Sequence, residues 1–552
     1  MENNIPKITI YGTTIYIDVI KIELEEGPCL AYTFQDLINK NYIIALVCGD
    51  IFKLDTIYSR IHSSCITSET FCSLDCDCSN QLREALKIIH KKKGILFYLL
   101  QEGRGSGYIG KSRACQMVQY SNDTITTFDA YKELGMKKDY RIYTNIKDIF
   151  NMFQINPSMI LLTNNPDKIN GLRDNGITIK SIEAIEIKPN LFNIHYLISK
   201  KKSGHLLQKT DKTEQFLNTD IFKLPFSPIK PFLPYSIEKC KRFIYTSSYY
   251  LPIGHMDNLV LVDKEINNDN IFSINNNSIS KSNLIKDNGE LIKPIWFNVN
   301  VLYDIINQNE FVILKYIDKT INIEDTIPVI RIHSESIFNR FPLKEALYKQ
   351  IYHRSLKHIF TRGYGYLIIF YQDGRGFGLG NYILNKANVD KSSDISKYND
   401  NDKRDFSAVA LLIKYFLKLN KVDLLYSCQT SLLNIERHIK ENNIEINKII
   451  YIGHSNEKQG QLSLQHRNLL NYSNLLVANN VENSIHINAS SYITGLGSSK
   501  SHAIYLKTIL NQYLGYKLEY IPFNELLEAT FKHLVIFSQG LSPHIKNIQI
   551  VI

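Results

Sequence analysis

Two short motifs recur at a single spacing, and that recurrence limits the architectures open to this chain. Arg60-Ile-His-Ser returns as Arg331-Ile-His-Ser, and Gln101-Glu-Gly-Arg-Gly-Ser-Gly returns as Gln372-Asp-Gly-Arg-Gly-Phe-Gly. Both second copies lie 271 residues after the first. Two motifs that keep one offset argue for a duplicated domain rather than chance likeness. A chain of 552 residues is also longer than one hydrophobic core usually serves, so several domains are expected.

Residues 6 to about 206 alternate apolar strands with amphipathic helices. Ile43–Val47 and Ile95–Leu100 read as strands. Between them, Leu82, Ala85, Leu86 and Ile89 form one apolar helix face, with Ser79 as expected N-cap and Gly94 as expected stop. Pro225, Pro228, Pro231 and Pro234 then read as a linker, and the Asn-rich stretch 266–289 reads as a long loop. The expected units are 1–207, a linker and polar insertion at 208–289, a second copy at 290–460, and a distinct tail at 461–552. The fold class is α/β (mixed α+β).

Apolar content of 44% with 21% charged residues describes an ordinary globular protein. The net charge of +10 suits a solvated basic surface or a polyanionic small substrate. No nucleic-acid module is recognisable, so no nucleic acid is expected as partner. The start, MENNIPKITI, does not read as a signal peptide, and no apolar run reaches membrane length. A cytoplasmic protein with no membrane partner is the expectation.

Four of the nine cysteines fall between Cys65 and Cys78. Cys65, Cys76 and Cys78 suit zinc, since three thiolates leave the fourth tetrahedral position for water. In an extended segment, Cys76 and Cys78 would face the same side. Cys72 is a fourth candidate that would close the site. Spacing alone leaves a second reading open, in which the thiols are reduced, buried and inert. The glycines of Gln101–Gly107 allow close approach to a ligand, with Arg104 for phosphate or a purine edge and Glu102 for guanine donors. Asp139 and Arg141 stand two apart, and Leu161-Leu-Thr-Asn-Asn-Pro-Asp-Lys168 ends a strand with hydroxyl, amides and a lysine.

Together with Gly204-His-Leu-Leu207, these motifs resemble the GTP cyclohydrolase II family over most of residues 6–207. The resemblance implies one Zn²⁺ on Cys65, Cys76 and Cys78, and Mg²⁺ with the triphosphate. It implies GTP contacts from Arg60, Gln81, Glu102, Arg104, Thr127, Thr163 and Lys168, and catalytic roles for Asp139 and for Arg141 as nucleophile. The implied reaction hydrolyses the imidazole ring of GTP, releasing formate and pyrophosphate and leaving a diaminopyrimidine of the riboflavin pathway. Two positions depart from the family: Ser64 replaces a glutamate, and Cys115 stands where the catalytic tyrosine belongs. A thiol is shorter than a phenol, so altered turnover, or a zinc-stabilised nucleotide-binding pseudoenzyme, is the alternative.

The second copy keeps Arg331, His333, Glu335, Gln372, Arg375 and Asp402-Lys-Arg404. Ser336, Leu347 and Lys349 occupy its three cysteine positions, so a metal-free copy is expected, pairing with the first as an internal pseudo-dimer or within a homo-oligomer. The tail resembles a truncated, Rossmann-like sugar isomerase (SIS) segment through Gly495-Leu-Gly-Ser-Ser499 and Ser538-Gln-Gly-Leu-Ser542. That resemblance implies a sugar phosphate as ligand.

Overall fold

The computed structural model describes residues 6, 8–187, 190, 192–207, 224–254, 294–345, 347–391, 402–427 and 429–453, and the strands Ser484–Asn488 and Asn547–Val551. The first sheet contains β1 (Ile10–Tyr11), β2 (Thr14–Leu24), β3 (Gly27–Asp36), β4 (Tyr42–Cys48), β5 (Thr56–Ser63), β6 (Gly94–Leu99), β7 (Ser158–Leu162) and β8 (Ile179–Glu183). Its spatial order is β1-β2-β3-β4-β6-β5-β7-β8. The pairs up to β4–β6 are antiparallel, and β6–β5, β5–β7 and β7–β8 are parallel.

The second sheet contains β9 (Tyr235–Ile237), β10 (Cys240–Ile253), β11 (Ile295–Asp304), β12 (Asn309–Ile317), β13 (Val329–Ser334), β14 (Tyr364–Phe370), β15 (Lys421–Tyr426) and β16 (Glu445–Tyr451). Read from β9, its order is β9-β10-β11-β12-β14-β13-β15-β16, the same permutation and the same directions. Even the register agrees: Arg60 lies opposite Leu96, and Arg331 lies opposite Leu367.

Local chemistry explains the central strands. Every residue of β6, Gly-Ile-Leu-Phe-Tyr-Leu, is buried, as expected of a parallel strand covered on both faces. A Cβ on Gly94 would stand 2.1 Å from the Tyr58 carbonyl oxygen, and one on Gly365 would stand 2.5 Å from that of Val329. Gly94 therefore opens β6 against β5 rather than merely ending the preceding helix, as its sequence position suggested. That helix, Cys78–Lys92, buries Leu82, Ala85, Leu86 and Ile89 as read. Its N-cap is Asp77, not Ser79, and Lys93 ends it at φ 61°.

The second sheet also corrects the expected boundaries. β9 and β10 fall inside 208–289, where Thr246-Ser-Ser-Tyr-Tyr250 lacks the apolar run that marks a strand in sequence yet is largely buried. The polar stretch 266–289 lies outside the described residues. So do the two serine-glycine turns of the tail, where only the parallel pair Ser484–Asn488 and Asn547–Val551 is described.

The two sheets pack through a reciprocal contact. Helix Gly107–Tyr120 lies on β10, and helix Leu379–Lys391 lies on β2. Tyr108 Oη meets Tyr249 Oη at 2.7 Å, Ser112 Oγ meets Ser247 Oγ at 2.6 Å, and Gly380 donates its N–H to Tyr42 Oη at 3.1 Å. Backbone bridges join Ser73 to Ile253 and Leu24 to Leu343. One apolar core sets Ile66, Phe71 and Tyr108 among β10–β12 side chains, and another sets Phe338, Phe341 and Leu379 among those of β2 and β4. Each such buried side chain stabilises the packed state by roughly 1.5–3 kcal/mol, so the halves share cores and do not behave as beads on a string.

Candidate active site

The parallel strands β5, β6 and β7 end on one side of the first sheet, where open α/β sheets place their ligand crevices. A cavity of about 1180 Å³ opens there. Every candidate site residue of the first half except Cys72 lines it, together with Pro252 and Trp296 from the second half.

Cys65 follows β5, Cys76 sits in the next loop and Cys78 is the first helical residue. The sulfurs of Cys65 and Cys76 are 3.7 Å apart, those of Cys76 and Cys78 are 3.1 Å apart, and all three lie within 4.8 Å. The extended segment expected for Cys76 and Cys78 is absent; a helix start brings their sulfurs together instead. Hydrogen bonds from Cys76 and Cys78 hold the Cys65 thiol well below its usual range, and the Lys111 charge adds to this. Lys111 Nζ lies 3.2 Å from Cys65 Sγ, 2.9 Å from Thr67 Oγ1 and 2.9 Å from Glu102 Oε1. Cys72 does not join the cluster: its sulfur lies 3.3 Å from His353 Nε2. Among the described residues no other group of three His, Cys, Asp or Glu side chains converges this way. Cys29 and Cys48 form a disulfide across β3 and β4, a pairing that the sequence reading did not anticipate.

The charged groups form a second arc. Arg60 donates from Nη1 to the Leu162 carbonyl at 2.9 Å and from Nη2 to Gln81 Oε1 at 2.6 Å, and Gln81 reaches Asp77 at 2.6 Å. Glu102 accepts from the Ile66 N–H at 2.8 Å, and burial pushes its carboxyl up to about 7. Its oxygens already serve Ile66, Gly103 and Lys111, more than an acceptor reserved for guanine would. Arg104, at φ 57°, lays its guanidinium 3.6 Å from the Phe128 ring centroid. Thr127 begins helix Thr127–Glu133, and Thr163 at the end of β7 accepts from the Asn165 N–H at 3.1 Å.

Arg141 Nε donates to both Asp139 oxygens at 3.0 Å, and its Nη2 to Oδ2 as well. Burial raises the Asp139 carboxyl, but the Arg141 bonds and charge outweigh it and bring it below the usual range. Lys168 donates to the Ile61 carbonyl at 2.8 Å; burial, then Arg141 and Arg60, depress it strongly. Cys115 lies behind Lys111 on helix Gly107–Tyr120, its thiol pushed up to about 12 by burial and then by Asp75. The Ser64 hydroxyl is buried with no protein partner among the described residues. Lys111, Tyr196, Lys200 and His205 also line the cavity and were not singled out as site residues. Two signals were readable: the spacing of Lys111 one helical turn before Cys115, and His205 within the Gly204-His-Leu-Leu207 motif.

The second half repeats the arc without the sulfurs. Arg331 bonds the Leu425 carbonyl at 3.3 Å and Ser427 Oγ at 2.8 Å, and Arg404 Nε meets Asp402 at 2.9 Å. Gln372 accepts from the Asp405 N–H, as Gln101 accepts from that of Ile142. Ile337 N–H faces Asp373 at 3.4 Å, as Ile66 faces Glu102. Tyr352, fully buried, packs edge-on against His333.

A sequence profile of the family described as GTP cyclohydrolase II matches residues 17–184. GTP cyclohydrolase-2 of Proteus mirabilis is 38% identical over 191 residues, covering 34% of this chain and 94% of that protein. Its counterpart in Buchnera aphidicola is 38% identical over 185 residues, covering 33% and 93%. Riboflavin biosynthesis protein RibBA of Chlorobium phaeovibrioides is 39% identical over 210 residues, covering 38% and 46%. The chain thus spans about half the length of the RibBA relatives it matches. Among the described residues no helix is long and apolar enough to cross a membrane.

Proposed function

We propose, from the premise that this chain belongs to the GTP cyclohydrolase II family, that its cavity binds GTP and opens the imidazole ring by hydrolysis. Formate and pyrophosphate leave, and a diaminopyrimidine ribosyl phosphate enters riboflavin biosynthesis. One observation carries the reading: three converging sulfurs, the Asp139–Arg141 pair and the cations Arg60, Arg104 and Lys168 line a single cavity.

The donor set fits zinc, since three soft sulfurs lie within 4.8 Å of one another. A zinc ion held there by Cys65, Cys76 and Cys78 would supply Lewis acidity. The remaining work falls to the chain itself. Lys111 neutralises the sulfur cluster and ties it to Glu102. Arg60, pinned by Leu162 and Gln81, presents a fixed guanidinium. Asp139 holds Arg141 by a forked pair of bonds, which orients the guanidinium and keeps the carboxylate ionised beside it. Lys168 and Arg104 offset triphosphate charge, with Mg²⁺ as the expected companion.

Cys115 favours a second reading for the product. Its thiol is neutral near pH 7 and sits behind Lys111, so it gives neither the reach nor the acidity of a phenol. Ring opening that stops with the formyl group retained follows from that. The second half reads as a metal-free copy that takes the place of a dimer partner; the matching strand order and the reciprocal helix-on-strand packing support this.

The test is product analysis by mass spectrometry after mixing reduced, zinc-loaded protein with GTP and Mg²⁺. Free formate and pyrophosphate are expected. A formylated pyrimidine selects the second reading, and intact GTP overturns both.

A further inference from the structure

Ten residues beyond the matched segment, helix Ile194–Lys202 lines the cavity. Both ends of this stretch are anchored. Before the helix, Asn190 Nδ2 donates to the Leu74 carbonyl at 3.0 Å, in the cysteine loop. After it, the Leu206 N–H donates to the Asn164 carbonyl at 2.9 Å, at the end of β7. Lys200 Nζ reaches inward to 3.4 Å from Asp77 Oδ1 and stands 4.3 Å from the Tyr196 ring centroid. His205, in the turn behind, lines the same cavity.

We propose that Lys200 and His205 complete a polyphosphate subsite with Arg104, Arg141 and Lys168. The proposal rests on the reading of the cavity as a GTP site and names where its phosphate chain lies.

The charge balance argues for it. The charges of Lys200, Arg141, Arg104 and Lys168 all act on His205. Asp77 pairs with Lys200 and Asp139 with Arg141, while Arg104 and Lys168 pair with no carboxylate among the described residues. Like charges gathered in a partly buried space raise the free energy of the empty site. A ligand with several negative charges relieves that repulsion; a neutral base or sugar does not. Burial, followed by the four cations, holds His205 down to about 4, so it enters as a neutral ring able to donate one N–H to a phosphate oxygen. Lys200 and Cys115 stand on separate helices, so a change at Lys200 leaves the position lacking its phenol as it is.

The test uses the full zinc-loaded chain and inorganic tripolyphosphate as probe, with affinity measured by titration calorimetry at low salt. Lys200→Ala is expected to weaken tripolyphosphate about tenfold or more, a loss typical of a charge-assisted hydrogen bond. His205→Ala is expected to weaken it several-fold, and Lys200→Arg to retain most of it. Guanosine affinity and zinc content should stay at wild-type values in all three. Unchanged tripolyphosphate affinity in Lys200→Ala overturns the proposal. So does a parallel loss of zinc or guanosine binding, because Lys200 would then only brace the Asp77 loop. The probe needs no turnover, so a chain that binds tripolyphosphate through Lys200 yet leaves GTP intact refutes the hydrolase reading and spares this one.

Discussion

Thr70, in the cysteine loop of the first half, donates its hydroxyl to Glu335 of the second half at 2.7 Å. Glu335 also receives Arg340 through Nε and Nη2, each at 3.0 Å, and Arg340 is fully buried. The Arg340 charge is felt by Tyr98 and Glu69, which hydrogen-bond one another beside His62 on the cavity wall. A polar network thus runs from the cysteine loop through the shared core.

Glu335→Ala should destabilise the chain by about 3–5 kcal/mol, because it removes the carboxylate that pairs with a buried guanidinium. Replacing Arg340 by Met in the same protein should recover a large part of that loss. Urea denaturation midpoints of the single and double variants check both statements.

Cys65→Ser should abolish stoichiometric zinc binding, while Cys72→Ser should leave it intact. The first removes one of the converging sulfurs; the second alters a thiol facing His353. Metal analysis of reduced protein separates the two.

Asp139→Asn should lower the rate of GTP ring opening by about 100-fold or more, the range of a general acid–base contribution, with zinc content unchanged. The amide keeps the shape but loses the charge that holds Arg141. Steady-state kinetics beside metal analysis make the comparison.

Cys115→Tyr should raise the ratio of formate released to GTP consumed. The side chain starts from a helix that faces the cavity behind Lys111, so a phenol there extends past the point where the thiol stops. Formate quantification against GTP loss gives the ratio directly.

Asp373 supplies a pH test remote from the cysteines. Burial, and secondarily Glu335, push its carboxyl from 3.8 up to about 7, with Arg340 opposing. A raised carboxyl contributes stability that is present below its unfolded value and lost as pH rises through about 7. Asp373→Asn keeps an acceptor for Ile337 and removes this dependence. The denaturation midpoint of the variant, relative to the parent, should therefore rise between about pH 4 and pH 8.

Sequence periodicity located the strands well where burial was complete, as in β4 and β6. It failed at β10, where serines and tyrosines satisfy one another inside the interface: Ser247 meets Ser112, and Tyr249 meets Tyr108. It also misjudged the entry to helix Cys78–Lys92, because the Asp77 carboxylate is drawn to Gln81 and Lys200 rather than to the helix end.

The amino-acid order by itself determined the recurrence of two motifs at one spacing, the clustering of Cys65, Cys76 and Cys78 and the charged residues beside them, since glycine placement and residue type restrict a chain locally. Parallel strands then carried those distant segments to one edge, and every candidate residue of the first half except Cys72 met in one cavity. Only the tertiary structure decided that helix Ile194–Lys202 lines that cavity and that Glu335 is shared between Thr70 and Arg340. It alone set Cys29 against Cys48. Such contacts join residues far apart in the chain, and they form because packing leaves their polar groups no water to bond to.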